Sequence, residues 1–271
     1  NSNSNSNSNS NSNSNSNSNS NSNSNSNSDS NSNKHFQLSI PKYDINPEKW
    51  VSYKNANFVN FLTSTYIDYK KHDSGDLSCD FKTEKLDLFP HQKFIRDYLQ
   101  YKSPYRGLLI YHGLGVGKTC SSIAVAEMLL NFKEVVVMLP ASLQTNYISE
   151  IKKCGNKYFD VNQHWVFYKN AHVKYISDKV IKQNKGVWFI NDTKSPNYYS
   201  LKQENKTSID TQLNDIIRNN YSFINYNGLS TQKLDELTQN NNVNPFDNKV
   251  IIVDEIHNLI SSISNEDNKI A

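Results

Sequence analysis

Residues Gly107–Glu127 read GLLIYHGLGVGKTCSSIAVAE, and the order of their parts decides the fold class. An apolar run, Leu108–Tyr111, predicts a buried strand. It leads into Gly113-Leu114-Gly115-Val116-Gly117, where closely spaced glycines let the backbone turn tightly and expose its N–H groups. Lys118 and Thr119 follow, and Cys120–Leu130 reads as an amphipathic helix. Strand, glycine turn and helix in that order form a concave anion cradle, because the free amides and the positive end of the helix dipole point the same way. A strict five-residue glycine spacing would put glycine at position 112, where this chain has His112. We read His112 as a structural residue beside the loop.

The same rhythm continues outward from this stretch. Short runs of Val, Ile and Leu alternate with amphipathic segments. Val135–Leu139 precedes Ser142–Lys153, Val187–Ile190 precedes Asp210–Asn219, and Ser222–Tyr226 and Val250–Val253 follow. Little-interrupted apolar runs alternating with helices predict an α/β domain, a mostly parallel sheet flanked by helices. Residues 153–205 fit this rhythm least and read as a place for an insertion. Gln239–Asn248 reads as a polar loop. Upstream, Lys54–Lys70 places Phe58, Phe61, Leu62, Tyr66 and Ile67 near helical spacing, so residues 34–87 read as a helical extension before a main domain at 88–271.

The second informative stretch is Lys249-Val-Ile-Ile-Val-Asp254-Glu255-Ile256-His257. An apolar strand delivers two adjacent carboxylates at its C-terminal end, the edge where ligands lie in open α/β sheets. Two carboxylates side by side repel, so a cation between or beside them makes chemical sense. Combined with the cradle, this pattern points to a magnesium-bound nucleoside triphosphate. Lys118 reaches the β- and γ-phosphates, Thr119 and Asp254 hold Mg²⁺, and Glu255 polarises the attacking water. Lys118, Asp254 and Glu255 are thus the catalytic candidates. Gly113, Leu114, Gly115, Val116, Gly117, Lys118, Thr119 and Cys120 are the nucleotide-binding ones.

Composition excludes several other classes. No apolar run approaches the roughly 18 residues of a membrane span, and no signal peptide is recognisable. Residues 1–33 alternate Asn and Ser, broken only by Asp29, and hold no apolar side chain to offset chain-ordering entropy. They read as a disordered tail. All 29 Lys and Arg and 25 of the 26 Asp and Glu lie beyond it, a mildly basic balance that does not by itself imply nucleic acid. Cys79, Cys120 and Cys154 are widely spaced and predict neither a disulfide framework nor a zinc cluster, which favours a reducing, intracellular compartment. Residue 1 is Asn and no initiator Met is present, so the start reads as trimmed or processed.

Asp254-Glu255-Ile256-His257 resembles the DExH box of superfamily 2 helicases and translocases. Leu88-Phe89-Pro90-His91-Gln92 resembles the segment those proteins place over adenine, and lies upstream of Lys118 in the order the family requires. Val135–Leu139 with Pro140-Ala141-Ser142 resembles a motif where a strand end and a helix start meet the nucleic-acid backbone. Ser222–Leu229, with Asn225-Tyr226-Asn227-Gly228 inside it, resembles a later backbone-contacting segment. The His-Gly-Leu-Gly-Val-Gly-Lys-Thr loop is similar to that of helicases of large nucleocytoplasmic DNA viruses, in particular the group with the poxvirus early transcription factor small subunit and nucleoside triphosphatase I. The resemblance covers residue 88 onward.

It implies a RecA-like P-loop lobe that binds ATP and Mg²⁺ and moves on nucleic acid, DNA favoured over RNA, in viral transcription. It implies a virion or host-cytoplasm setting and no membrane. A second lobe would supply the arginine finger, and the chain stops fourteen residues after His257, short of that lobe's motifs. The alternative is a nucleotide-binding interaction module without turnover.

Individual residues keep two readings. Gln92 either reads adenine or caps a helix. Pro140, Ser142 and Asn227 either meet phosphates or serve as cap and turn residues. Tyr226 either stacks on a base or closes the core. His257 either couples nucleotide state to nucleic acid or packs. Cys120, at a helix start, either has a lowered thiol pKa or packs under the loop. Trp165 and Trp188 read as core.

Overall fold

The structure is a computed structural model, and it describes residues 44–71, 88–113 and 115–264. The Asn-Ser tract, residues 34–43 and 72–87, Cys79 and Leu114 lie outside the described residues.

Three parallel strands form the central sheet: β1 (Val135–Leu139), β4 (Tyr221–Asn225) and β5 (Val250–Val253), in the order β4-β1-β5. Val137, in the middle of β1, pairs with Phe223 on one side and Ile252 on the other. The central position of β1 explains why its five residues are almost wholly apolar, since both faces and both edges are covered. Helices α4 (Lys118–Leu129), α5 (Gln144–Cys154) and α7 (Gln203–Asn220) flank the sheet. Ile123, Tyr147, Ile151 and Ile217 close over β1 and β4 in one fully buried core. The α/β class expected from the alternation of runs is therefore the observed one.

Two expectations are corrected. Leu108–Tyr111 forms no strand; it pairs with no ladder among the described residues, and Leu109 and Tyr111 are 73% and 94% exposed. This segment and β5 line opposite parts of one cleft of about 1020 Å³. An apolar run becomes a strand only where a neighbour accepts its N–H and C=O groups. Val187–Ile190 does form a strand, β3 (Gly186–Ile190), but not in the parallel sheet. It pairs antiparallel with β2 (Trp165–Lys169), Phe167 opposite Trp188.

This hairpin lies within residues 153–205, the stretch that fits the strand–helix rhythm least. It is closed by α6 (Asp178–Asn184) and the αL residue Lys185. Trp165 and Trp188 pack with Ile209 and Leu213 in a core of their own, as expected of both tryptophans. Gln212 clamps β3 from α7, accepting from the Trp188 amide and donating to its carbonyl.

Upstream, the single helix expected over 54–70 is two, α1 (Phe58–Thr65) and α2 (Ile67–Lys71), broken at Tyr66. Tyr66 and Tyr69 donate to the carbonyl and carboxylate of Asp97 in α3 (Pro90–Tyr98), and Arg96 pairs with the same buried carboxylate at 2.6 Å. The short α8 (Thr231–Thr238) and α9 (Ile256–Ser264) flank β5 in the chain. No helix among the described residues is long and apolar enough to cross a membrane.

One covalent link was not expected. Cys120 in α4 and Cys154 at the end of α5 form a disulfide, Cα atoms 5.8 Å apart. This overturns the reading of unpaired cysteines and removes its argument for a reducing compartment. Wide spacing in sequence hid a contact that two packed helices create. A crosslink closing 34 residues restricts the unfolded chain by about 3–4 kcal/mol in the loop-entropy picture.

Candidate nucleotide site

The glycine turn ends at Gly117, whose φ of +80° is left-handed, and Gly115 has φ +77°. Both positions need glycine on conformational grounds. Gly117 also needs it for space, because a Cβ there would lie 2.4 Å from Gln92 Nε2. From Gly117 the chain enters α4, so Lys118, Thr119 and Cys120 form the first turn and present the amides that a helix start leaves unbonded. Lys118 Nζ donates to the carbonyls of His112 at 3.2 Å and Gly113 at 3.4 Å, folding back over the mouth of the turn.

Helix α3 holds the turn from outside. Gln92 is buried, with both ends of its amide engaged: Oε1 accepts from Phe89 N–H at 2.9 Å, and Nε2 donates to the Gly117 carbonyl at 3.2 Å. The side chain thus caps its own helix and ties α3 to the loop. His91 Nε2 donates to the Val116 carbonyl at 3.0 Å, and its ring meets His112 edge-on at 5.3 Å. Burial, then the nearby His91 and Lys118, hold the His112 imidazole below its ordinary pKa, and its Nδ1 is buried with no partner among the described residues.

The acid pair arrives on β5. The Asp254 amide donates to Met138 O at 2.9 Å, carrying the β1–β5 ladder to the edge of the site. Burial raises the Asp254 carboxyl pKa and the Glu255 charge adds to it; the Glu255 amide and Lys118 pull the other way. That Lys118 is felt at Asp254 follows from their shared position, since Lys118, Asp254, Glu255 and His257 all line the 1020 Å³ cleft. Glu255 has φ +51°, a left-handed conformation that costs a residue with a Cβ about 1–2 kcal/mol. Its carbonyl accepts from Asn258 N–H and Tyr226 OH, both at 3.0 Å. His257 is exposed and faces the Glu255 carboxylate, Nδ1 to Oε2 3.3 Å.

The sites expected to meet nucleic acid divide. Pro140 and Tyr226 are buried, whereas Ser142 and Asn227 are exposed. Ser142, Tyr226 and Asn227 occupy 3-10 turns at the C-terminal ends of adjacent strands, Ala141–Leu143 after β1 and Tyr226–Gly228 after β4, with Pro140 capping the first, and the two turns touch. Tyr226 is 5% exposed and donates to the carbonyls of both Asp254 and Glu255 at 3.0 Å. Here it is a core residue bracing the acid pair, one of its two expected readings. Sequence reasoning missed this brace and the His91 contact. The adjacency of His91 to Gln92 was the signal for the second; the first has no local signal.

Comparison with known proteins bears on the family rather than on these residues. The chain is 29% identical over 220 residues to "Putative ATP-dependent RNA helicase R563" of Acanthamoeba polyphaga mimivirus, covering 78% of this chain and 31% of that protein. It is 32% identical over 151 residues to "Putative ATP-dependent RNA helicase R350" of the same virus, covering 52% of this chain and 17% of that one. Against "Putative helicase 087L" of Invertebrate iridescent virus 3 it is 31% identical over 130 residues, 42% of this chain and 12% of that protein. The chain therefore spans a third or less of the length of these relatives. No solved structure matches it significantly. The family model described as Type III restriction enzyme, res subunit matches residues 85–270, well over half of the chain, and the chain belongs to that family.

Proposed function

We propose that the chain is the ATP-binding lobe of a DExH-type superfamily 2 helicase or translocase. In the whole protein, ATP hydrolysis would drive movement on nucleic acid. The observation that carries this reading is the convergence of Lys118 with Asp254 and Glu255 on one cleft, where the lysine's charge is felt at the carboxylate.

The donor set fits magnesium. Asp254, raised in pKa by burial and by Glu255, is a carboxylate that a hard cation would relieve, and Thr119 offers a hydroxyl in the first turn of α4. Thr119 and Asp254 would hold the ion, which when bound neutralises charge on the phosphates. The protein's own groups do the rest. The loop amides and the α4 dipole bind phosphate oxygens, and Lys118 exchanges its two carbonyl contacts for the β- and γ-phosphates. Glu255 orients and deprotonates the attacking water. Gln92, tied to Gly117, links the adenine side of the site to the phosphate side. Ser142 and Asn227, exposed on touching turns, are suited to a nucleic-acid backbone, with Pro140 and Tyr226 shaping the turns beneath them. His257, against Glu255, links the acid pair to that surface.

DNA as the track and a role in viral transcription rest on the resemblance of the loop and of the Asn225–Gly228 segment to the viral group described above. The RNA-helicase names belong to the relatives. Because the chain spans 31% of R563, turnover is proposed for the whole protein, with an arginine finger contributed from outside this lobe.

Nucleotide titration and steady-state hydrolysis by the whole protein test the assignment. Glu255→Gln should keep Mg-ATP affinity within about twofold and lower turnover about 10²–10⁴-fold. Lys118→Ala should weaken binding at least about tenfold, the worth of one strong charge-assisted contact. Undiminished turnover in the first variant removes the base, and unchanged affinity in the second removes the phosphate loop.

A further inference from the structure

The disulfide lies beside the phosphate loop. Cys120 follows Thr119 directly in the first turn of α4, and Cys154 is the last residue of α5. The two helices also meet through Ser122 Oγ and Tyr147 OH at 2.9 Å, and the Glu127 carboxylate on α4 accepts the Asn156 amide just past the end of α5. The cysteines are only partly buried, and the Glu150 carboxylate lies within 4.8 Å of both sulfurs while pairing with Lys153 at 2.9 Å. Small thiols can therefore reach a bond that anchors the very turn offering its amides to phosphate.

We propose that Cys120 and Cys154 form a redox site that sets nucleotide affinity, the disulfide form binding Mg-ATP more tightly than the dithiol form. The proposal rests on the nucleotide-binding reading above. The direction follows from preorganisation. Phosphate binding orders the glycine turn and the first turn of α4, and a covalent tether to α5 removes part of that cost before the ligand arrives. Without it the turn is held by single hydrogen bonds such as Gln92 Nε2 to Gly117 O.

The chemistry is thiol–disulfide exchange. A thiolate of a small dithiol attacks one sulfur, the Cys120–Cys154 bond breaks, and a mixed disulfide forms. The reductant's second thiol then closes its own ring. Two electrons and two protons end on the two cysteines, and the reductant leaves as a cyclic disulfide. Glutathione disulfide runs the reaction backward, accepting the two electrons and becoming two thiols.

The test is a titration of a fluorescent ATP analogue with Mg²⁺ on protein equilibrated in glutathione disulfide or in dithiothreitol, in a Cys79→Ser background. Alkylation and mass spectrometry report the state of the pair, and a melting curve reports the fold. We expect affinity about three- to tenfold weaker after reduction, with the fold retained at the assay temperature. The Cys120→Ser, Cys154→Ser double variant should match the reduced value in both buffers. Equal affinities within twofold, both cysteines alkylated in glutathione disulfide, or loss of the fold on reduction would each overturn the proposal. Lys118→Ala run alongside separates the two readings. If it also binds nucleotide undiminished, the nucleotide site itself is wrong; if it does not, only the redox claim falls.

Discussion

Asp254 and Glu255 stand at the end of a strand laddered to β1, and a buried phenol ties both of their carbonyls. The glycine loop on the other side of the cleft has no ladder behind it among the described residues. Residues 107–112 pair with no strand among the described residues, and the loop is held by side chains, Gln92 on Gly117 O and His91 on Val116 O, and by the disulfide at the start of α4. One wall of the cleft is thus built from backbone and the other from side chains. A wall held by side chains should yield more to a single substitution, and should yield in nucleotide affinity before it yields in stability.

Among substitutions that test how the two walls are held, the largest effect is therefore expected at Gly117. Gly117→Ala places a Cβ in a left-handed residue, costing about 1–2 kcal/mol, and drives it into the Gln92 amide. Because that amide is the far end of a flexible side chain, the fold should survive while the tie from α3 to the loop is lost. Nucleotide affinity should drop about 10–100-fold, measured by titration. The sharper measurement is a double-mutant cycle with Gln92→Ala. If the Gln92 contact carries the effect, the second substitution should cost much less in the Gly117→Ala background than alone. Strict additivity would show that backbone strain, not the lost tie, is responsible.

The two walls were also unequally legible. β1, β5 and α4 could be read because each is decided locally: uninterrupted Val and Ile runs for the strands, a glycine turn before a helix-forming segment for the helix, although α4 is buried from Ile123 to Met128 rather than amphipathic. The same logic failed at Leu108–Tyr111, where the run is equally apolar but a strand also requires a neighbour at hydrogen-bonding distance. It failed at β2, where Trp165 is buried but Tyr168 and Lys169 are exposed, so no clean alternation marks the strand. Lys185 closes α6 in a left-handed conformation that its residue type does not announce. Within the site, the acidic pair and the loop were legible as residue types at fixed spacing. The Tyr226 brace and the Cys120–Cys154 bond join residues 28 or more positions apart and exist only once the helices and strands have packed.

The acid wall can be tested through its brace. Tyr226→Phe removes the hydroxyl that donates to the Asp254 and Glu255 carbonyls and should cost about 1 kcal/mol, since it leaves a partly buried carbonyl short of a donor. Chemical denaturation measures that loss. Glu255 is the residue in the strained conformation, so removing one of the two donors to its carbonyl, leaving Asn258 N–H, should let it relax and misdirect its carboxylate. Turnover should then fall several-fold while nucleotide affinity changes little, the reverse of the Gly117→Ala pattern. Equal losses in both would mean that the two walls are not independently held.

The smallest expected effect has the opposite sign. Burial and Glu255 raise the Asp254 carboxyl above its ordinary pKa, so the folded protein holds that proton more tightly than the unfolded chain does. The stability linked to this group is therefore complete at pH values below the unfolded carboxylate's, about 4, and is lost as pH rises through the elevated folded value. Asp254→Asn should stabilise the protein by roughly 0.5–1 kcal/mol near neutral pH, as often follows when a site's strained charge is removed at the expense of function. It should also flatten the decline in melting temperature on going from pH 4 toward neutrality. A destabilised Asn variant would show that Lys118 and the Glu255 amide already compensate the carboxylate in the empty site, leaving the acid wall as relaxed as its backbone ladder suggests.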